Sequence, residues 1–262
     1  MTPMVSAADD TFVPPSAPDF WQPLVGDGAF AITRPMVVMV LSVIVLALVM
    51  MAVTRRLAVV PGRGQYRLEG VYGLVRNSVG RDVIGSEHFR PYIPLLFTLF
   101  TLILLNNLAG IIPLIQYPTM SRIGFPLALA LGVYVVYLVA GVRRRGATGF
   151  VKSLVPPGLP FWVVPVVFVL EAITFLITRP VTLTLRLFGN MFAGHLLLVL
   201  FVTGGEYLVL HSGKLGYVPV GIFSWIMALV MTVFEILVEF LQAYIFVLLT
   251  ALYIAGSIAD EH

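Results

Sequence analysis

The chain has 262 residues, of which 59% are hydrophobic and 11% are charged, and its mean hydropathy is 0.99. Soluble domains usually carry about 25% charged residues, so this composition excludes an ordinary soluble protein and indicates an all-α integral membrane protein. The alternating segments of a transmembrane β-barrel are absent from the sequence. The chain has no cysteine, which excludes disulfides, thiolate metal sites and cysteine nucleophiles.

Residues 1–33 differ from the rest of the chain, because they contain four Asp, no Lys or Arg, and several Pro. They lack the basic start of a cleaved signal peptide. We expect a mostly extended external tail over residues 1–33. A single membrane domain over residues 34–262 is expected to follow.

Five apolar stretches are long enough to cross a bilayer, which needs about 18 or more apolar residues. The predicted segments are residues 35–53, 91–117, 123–142, 161–202 and 218–259. Between the first two, apolar residues recur at helical spacing among basic ones. This pattern predicts an amphipathic helix over about residues 65–82 that lies on the membrane surface.

The basic residues predict the orientation of the segments. Residues 54–90 contain seven Arg, and Arg143, Arg144 and Arg145 follow the third segment. Basic loops are usually cytoplasmic, and both clusters fall on the same side if each segment crosses once. The sequence therefore predicts an external N-terminus and a cytoplasmic C-terminus.

The last two segments are too long for upright spans. As straight helices they would measure about 60 Å, roughly twice the hydrocarbon thickness. They must tilt steeply, bend or divide, and Pro165 and Pro180 are candidate bends in the first of them.

These two segments also hold an unusual number of polar side chains. Ionisable residues at membrane depth are costly and usually line a cavity or an ion path. The set comprises Glu171, Arg179, Arg186, Asn190, His195, Glu235, Glu239 and Gln242. Four have simpler interpretations: Arg179 as a bend residue paired with a lipid headgroup, Glu239 as a neutralising neighbour, His195 as a satisfied core histidine, and Arg186 as a purely structural salt-bridge partner.

Helical geometry places these residues in register. At about 100° per residue, Arg186 and Asn190 share a face of one helix, and Glu235, Glu239 and Gln242 share a face of the other. If the two segments fold as an antiparallel hairpin, Arg186 lies level with Gln242, Asn190 with Glu239, and His195 with Glu235. Small residues at 189, 193 and 194 would permit close approach of the helices.

The chemistry of the aligned pairs differs. Arg186 stays protonated at physiological pH and is a permanent charge. A histidine beside a glutamate can exchange protons near neutral pH. The arrangement predicts a proton path at His195 and Glu235, a fixed positive charge at Arg186, and a separate path on the inner side at Glu171.

Two stretches resemble a known family. RPVTLTLRLFGNMFAGHL at residues 179–196 resembles the signature of subunit a of F-type ATP synthases, and EILVEFLQAYIFVLLTALYI at residues 235–254 is similar to its last helix. The Leu-Asn-Asn-Leu sequence around Asn106 and Asn107 also fits, and the resemblance covers about residues 34–258.

The resemblance implies a long, tilted hairpin against a rotor ring of c subunits, with Arg186 facing the ring carboxylates. It further implies that Asn190, His195, Glu235 and Gln242 line one proton half-channel, that Glu171 lines the other, and that Asn106 and Asn107 are possible lining residues. Many bacterial members carry Glu at the position of His195 and His at that of Glu235, so this pair is exchanged here.

By the same resemblance, the protein is a non-catalytic stator subunit of the cell inner membrane. Its partners would be the c-ring, b-type subunits of the peripheral stalk and the lipid bilayer. We expect no cofactor, metal or nucleic acid, and protons as the coupling ion, with sodium as the alternative. The residues alone also permit a proton-coupled secondary transporter or a passive anchoring subunit.

Overall fold

The computed structural model describes residues 12–16, 23–26, 31–55, 58–59, 61–112, 118–152, 155 and 158–258. Within these ranges the chain is mostly helical, and five helices are long and apolar enough to cross a membrane. This confirms the predicted all-α class, its five membrane segments and the hairpin formed by the last two. The prediction of one membrane domain over residues 34–262 stays a prediction.

The first membrane helix, α1, spans Arg34–Thr54. Its second residue is Pro35, a residue suited to the first turn of a helix because the amide it lacks would be unpaired there. Twenty-one residues make a helix of about 31 Å, close to the thickness of the hydrocarbon layer. Most of its apolar side chains are exposed in the isolated chain.

The basic region after α1 is helical. Helix α2 spans Arg63–Leu74 and continues in wider, π-type turns over Val75–Ile84. Its second half buries Val75, Val79 and Ile84, whereas the opposite side carries arginines. These bounds match the expected amphipathic helix to within two residues at each end.

Two further helices precede the hairpin. Helix α3 spans Ile93–Ile111, and helix α4 spans Gly124–Lys152. Helix α4 therefore extends past the expected end at residue 142 and is interrupted at Gly146, where φ is 72°. After that interruption Phe150 turns back against Gly141, a contact that leaves no room for a side chain at position 141.

The first long segment is one continuous helix over Val164–His211. It comprises α5 (Val164–Ile173), a π-type stretch (Thr174–Thr178) and α6 (Arg179–Glu206), with a last widened turn to His211. Pro180 therefore does not divide the helix. The wider turns immediately before it accommodate the missing amide and the bulk of the proline ring.

The connection to the last helix is shorter than the sequence indicates. Residues 203–217, which lie between the last two predicted segments, were expected to form a linker. Instead, the preceding helix continues to His211, and Leu215–Tyr217 forms a short turn of 3₁₀-helix. Gly213 has a φ of 62°, a conformation that glycine adopts without steric cost. Helix α7 then spans Val218–Ile258. Counted with the 3₁₀ turn before it, the last helical segment has 44 residues, and a very short turn separates it from the preceding helix of 48 residues.

Glycines bring the two long helices together near this turn. A Cβ atom on Gly221 would lie 3.0 Å from the carbonyl oxygen of Gly205, and one on Gly205 would lie 3.1 Å from that of Gly221. The Trp225 indole donates a hydrogen bond to the Val202 carbonyl at 3.2 Å, and the Ser224 hydroxyl donates to the Phe201 carbonyl at 2.7 Å. The close approach explains why glycine stands at position 205, where a side chain would overlap α7.

Packing divides the helices between two compact units, each built from distant parts of the sequence. One combines the start of α1 with Leu104–Arg122 and Phe188–Gln242. It also contains a short antiparallel pair, β1 (Pro23–Val25) and β2 (Ile32–Thr33), within the segment expected to be extended. The other combines Leu46–Ile103, Ile123–Leu187 and the end of α7.

An aromatic cluster forms the core of the second unit. Tyr137, Phe150 and Phe175 meet at ring separations of 5.1 to 5.3 Å, and the Tyr137 hydroxyl donates to the Phe175 carbonyl at 3.3 Å. Edge-to-face contacts of this kind stabilise a core beyond the area that they bury. They hold α4 against the widened turns that precede α6.

Replacing Gly221 with Ala should destabilise the hairpin by about 1–3 kcal/mol, because the added methyl group would overlap the Gly205 backbone. Gly256→Ala, on the same helix, is the matched control, since a Cβ there has no neighbour within 4 Å. Thermal inactivation of the purified protein in detergent measures the difference. Equal stability of the two variants would contradict the close approach.

Candidate functional site

His195 and Glu235 lie at the same level of the hairpin. Both are buried, with exposed fractions of 4% and 6%. The Glu235 carboxylate points at Gly194, the residue before His195: a Cβ on Gly194 would lie 3.0 Å from Glu235 Oε1. The missing side chain at position 194 therefore makes space for a carboxylate between α6 and α7.

Glu239 follows one turn later on α7 and lies against α3. Its Oε1 atom is 3.8 Å from where a Cβ on Gly110 would stand, and the Met191 methyl group is 3.1 Å from the same point. The amide of Asn107 donates to the backbone carbonyl of Glu239 at 3.3 Å. With an exposed fraction of 3%, Glu239 is enclosed by α3, α6 and α7.

The two glutamates are buried without protein donors. Within the described residues, no oxygen of either carboxylate accepts a hydrogen bond, and Asn107 Oδ1 is also unpaired. Buried polar groups of this kind are costly, and a carboxyl group meets the cost by taking up a proton or by binding water in a polar cavity. We name Asn107, His195, Glu235 and Glu239 the polar cluster.

The three predicted pairs concern side chains at equal depth in the hairpin. Within the described residues Glu235 and Glu239 accept no hydrogen bond, so no hydrogen bond joins Glu235 to His195 or Glu239 to Asn190. Asn190 is exposed on α6, while Glu239 is turned towards α3. The level pairing of Arg186 with Gln242, and the roles of all these residues, stay predictions.

Asn106 and Asn107 have different surroundings although they are adjacent. Asn106 has an exposed fraction of 0%; its amide donates to the Ser42 hydroxyl at 2.9 Å, and the Thr119 hydroxyl donates to its Oδ1 at 3.0 Å. This set links α1, α3 and the turn at Thr119. Asn106 is therefore held by structural hydrogen bonds, and Asn107 is the better candidate for a path lining.

Arg186 lies on α6 as an exposed side chain. It follows Leu185, which is 51% exposed, and Val181 on the preceding turn is 43% exposed. The arginine is thus an exposed charge beside apolar side chains, with the polar Thr182 and Asn190 exposed one turn before and one turn after it. Its side chain forms no hydrogen bond or ion pair within the described part of the chain.

The exposed surface of α7 is apolar over several turns. Its large exposed side chains follow one face at spacings of three and four residues: Ile222, Ile226, Leu229, Val233, Leu237 and Leu241. Contiguous apolar surface of this kind marks contact with lipid or with another protein. The polar cluster on the same helix faces the other way, towards α6 and α3.

Glu171 and Arg179 lie in the other unit. Glu171 is half-buried near the end of α5. The Arg179 guanidinium lies 5.1 Å from the ring centres of both Phe175 and Tyr253. This cation–π contact joins the start of α6 to α7, an arrangement that the expected bend and lipid pairing of Arg179 did not include.

Sequence reasoning missed Ser42, Gly110 and Thr119. Ser42 gave a signal, because it is the one polar residue between Pro35 and Val53 and a lone hydroxyl in such a span usually has a partner. Gly110 and Thr119 gave none, since their importance depends on which side chains pack against them. Among the described residues, no three His, Asp or Glu side chains are grouped as metal ligands.

Comparison with known proteins identifies relatives along nearly the whole chain. Residues 36–255 match the family model described as ATP synthase A chain. A Nocardioides protein named ATP synthase subunit a is 46% identical, with 98% of this chain and 97% of that protein covered. Proteins of the same name from Pseudarthrobacter chlorophenolicus and Rhodococcus erythropolis are 39% and 38% identical, covering 96% and 99% of this chain and 95% of each relative.

Replacing Asn106 with Leu should lower the free energy of unfolding by about 1–3 kcal/mol, because the buried hydroxyls of Ser42 and Thr119 lose their amide partner. Thr101→Val is the control, since that hydroxyl bonds to carbonyls of its own helix. Unfolding in mixed micelles measures both. Adding Ser42→Ala and Thr119→Val to Asn106→Leu should restore part of the loss, and a further loss in the triple variant would contradict the hydrogen-bonded set.

Proposed function

The chain belongs to the ATP synthase subunit a family and is a multi-pass membrane protein of the proton channel, and we propose that it forms two offset proton half-channels. Arg186 would separate the two half-channels. A rotating ring of c subunits would carry each proton between them. The subunit itself makes or breaks no covalent bond other than to protons. ATP would form on a distant soluble sector.

The exposure of Arg186 is the observation that carries this proposal. An exposed guanidinium on an apolar membrane surface is unfavourable unless an anionic group comes to it. Since Arg186 forms no ion pair within the described chain, the complementary charge belongs to a partner. A ring carboxyl group that is ionised while it faces Arg186 and protonated when it leaves satisfies this requirement without holding the rotor in place.

The polar cluster supports the outer half-channel. His195 and Glu235 lie level between α6 and α7, and Glu239 and Asn107 continue the polar surroundings towards α3. Carboxylates without protein donors can take a proton from water and pass it on, because no strong hydrogen bond has to break first. The His195 imidazole can also take part, because histidine exchanges protons near neutral pH.

The inner half-channel rests on Glu171. This half-buried carboxylate lies about four helical turns before Arg186 on the same continuous helix, so an inner path at Glu171 would be offset from Arg186 along it. Asn190 and Gln242 would hold the ring carboxylate near Arg186 by hydrogen bonds. Each can donate and accept, so they serve both the charged and the neutral carboxyl group.

The steps follow from these positions. A proton enters from outside, reaches His195 and Glu235, and neutralises a ring carboxylate, which can then rotate into lipid. After nearly a full turn the carboxyl group approaches Arg186, whose positive charge favours ionisation, and its proton leaves past Glu171. Because Arg186 does not release its own proton, protons cannot pass directly from one half-channel to the other.

The orientation and partners complete the proposal. The arginines of α2 and Arg143 to Arg145 would be cytoplasmic, with the N-terminus outside and the C-terminus inside. The exposed apolar face of α7 would lie along the c-ring, and b-type subunits of the peripheral stalk would keep the subunit from rotating with it. Protons are the proposed coupling ion. The transporter alternative loses its support, since the matched relatives are named as ATP synthase subunits.

Replacing Arg186 with Ala should reduce proton-driven ATP synthesis in vesicles to background and should increase passive proton leak, because the barrier between the half-channels is removed. Leu185→Ala is the control on the same exposed surface. Synthesis and leak are measured on the same vesicles, after confirming that the complex is intact. Normal synthesis in the Arg186→Ala vesicles would overturn the proposal.

Exchanging His195 and Glu235 tests the proposed couple. His195→Glu alone places three carboxyl groups together, and Glu235→His alone removes one, so each should lower proton flux by about tenfold or more. The double variant His195→Glu, Glu235→His restores one group of each kind and should recover much of the flux. Independent, additive losses would show that the two residues do not act as a pair.

A further inference from the structure

The π-type stretch Thr174–Thr178 ends directly before Arg179 and Pro180. Its hydrogen bonds reach one residue further back than those of an α-helix, since the Arg179 amide donates to the Thr174 carbonyl, five residues earlier. In the same pattern the next carbonyl, that of Phe175, would receive the amide of residue 180. Residue 180 is a proline and has no amide hydrogen, so this pattern leaves the Phe175 carbonyl without its donor.

The Tyr137 hydroxyl of α4 supplies a donor to this carbonyl. It donates to the Phe175 carbonyl at 3.3 Å, and the Tyr137 side chain has an exposed fraction of 1%. The Tyr137 ring also packs edge-to-face against the Phe175 ring at 5.1 Å, which fixes the direction of the hydroxyl. An unpaired carbonyl within a membrane helix is costly, so the hydrogen bond stabilises the π-type stretch.

The widened turns also determine the direction in which Glu171 points. Glu171 lies on α5, before the stretch, and Arg186 lies on α6, after it. A π-type turn holds one residue more than an α-type turn, so loss of the π pattern would rotate α5 by about 100° relative to α6. The orientation of Glu171 relative to Arg186 therefore depends on the hydrogen bonds of Thr174–Thr178.

We propose that Tyr137 is a positioning residue of the proton path. Its hydroxyl replaces the amide that Pro180 lacks, stabilises the π-type stretch and so holds Glu171 in one orientation relative to Arg186. This inference rests on the inner half-channel proposed above. Packing alone does not account for the hydroxyl, since a phenylalanine would make the same ring contacts. Tyr137 orients the path and transfers no proton, because its hydroxyl donates to a backbone carbonyl.

The first test removes the hydroxyl and keeps the ring. Tyr137→Phe should lower proton flux through the intact complex in vesicles by about tenfold, because a small misplacement of a reacting group is costly. Tyr134→Phe is the matched control and should leave the flux unchanged. The Tyr134 ring contacts those of Tyr137 and Phe175, but its hydroxyl forms no hydrogen bond within the described part of the chain. Equal effects of the two variants would overturn the proposal.

The second test returns the missing amide. Pro180→Ala provides an amide hydrogen that can donate to the Phe175 carbonyl in the same wide-turn pattern. Tyr137→Phe should therefore reduce flux strongly when Pro180 is present and have little further effect when it is combined with Pro180→Ala. Additive losses in the double variant would show that the hydroxyl does not replace the proline amide, which contradicts the proposal.

Two further measurements separate this inference from the proposed function. Hydrogen–deuterium exchange of the amides of residues 175–179 reports on the widened turns alone, and Tyr137→Phe should speed it about fivefold relative to Tyr134→Phe. Unchanged exchange would overturn the inference whatever Glu171 does. In a Glu171→Gln background, Tyr137→Phe should cause no further loss of flux, and a further loss would contradict a role through Glu171. Normal flux in Glu171→Gln with accelerated exchange in Tyr137→Phe would instead overturn the inner half-channel.

Discussion

The cost of placing a charge among apolar side chains governs the last two helices of this protein. Glu235 and Glu239 are almost fully buried, and their carboxylates accept no hydrogen bond from the described chain. Arg186, in contrast, is exposed, beside the exposed Leu185. Burial of the two carboxyl groups is unfavourable unless they take up protons. Exposure of the Arg186 guanidinium in a membrane is unfavourable unless a carboxylate from another chain pairs with it.

Close packing near the turn makes the polar cluster possible. The backbones of α6 and α7 approach at Gly205 and Gly221, where side chains would overlap. Further along the hairpin, Gly194 provides space for the Glu235 carboxylate instead of another backbone. Small residues thus do two different things along one interface: near the turn they join the helices, and at depth they accommodate an ionisable group.

Two adjacent residues of helix α3 have different roles: Asn106 forms structural hydrogen bonds, and Asn107 belongs to the polar cluster. Since successive residues of a helix point about 100° apart, Asn106 faces Ser42 and Thr119 while Asn107 faces Glu239. The first side chain ties the start of α1 to α3 within the unit that contains the polar cluster. The second extends that cluster. A buried hydrogen-bonded set of this kind favours one arrangement of helices over others.

Local composition was enough to predict the five membrane helices, the surface helix and the excess length of the hairpin. In a membrane every backbone amide must be paired within its own segment, so a sufficiently apolar stretch becomes a helix whatever surrounds it. The polar residues of the hairpin were equally visible, because each stands out against an apolar background. Their family resemblance followed from the same short stretches.

Tertiary structure decided which neighbour each of these residues meets. The sequence indicated no helix over residues 203–217, yet the helix continues to His211, with Gly205 packed against Gly221 of α7. Glu239 lies against Gly110 and Asn107 of α3, contacts that its own segment does not indicate. Helical periodicity determines the direction in which a side chain points, but the partner found in that direction depends on the contacts of helices far apart in sequence.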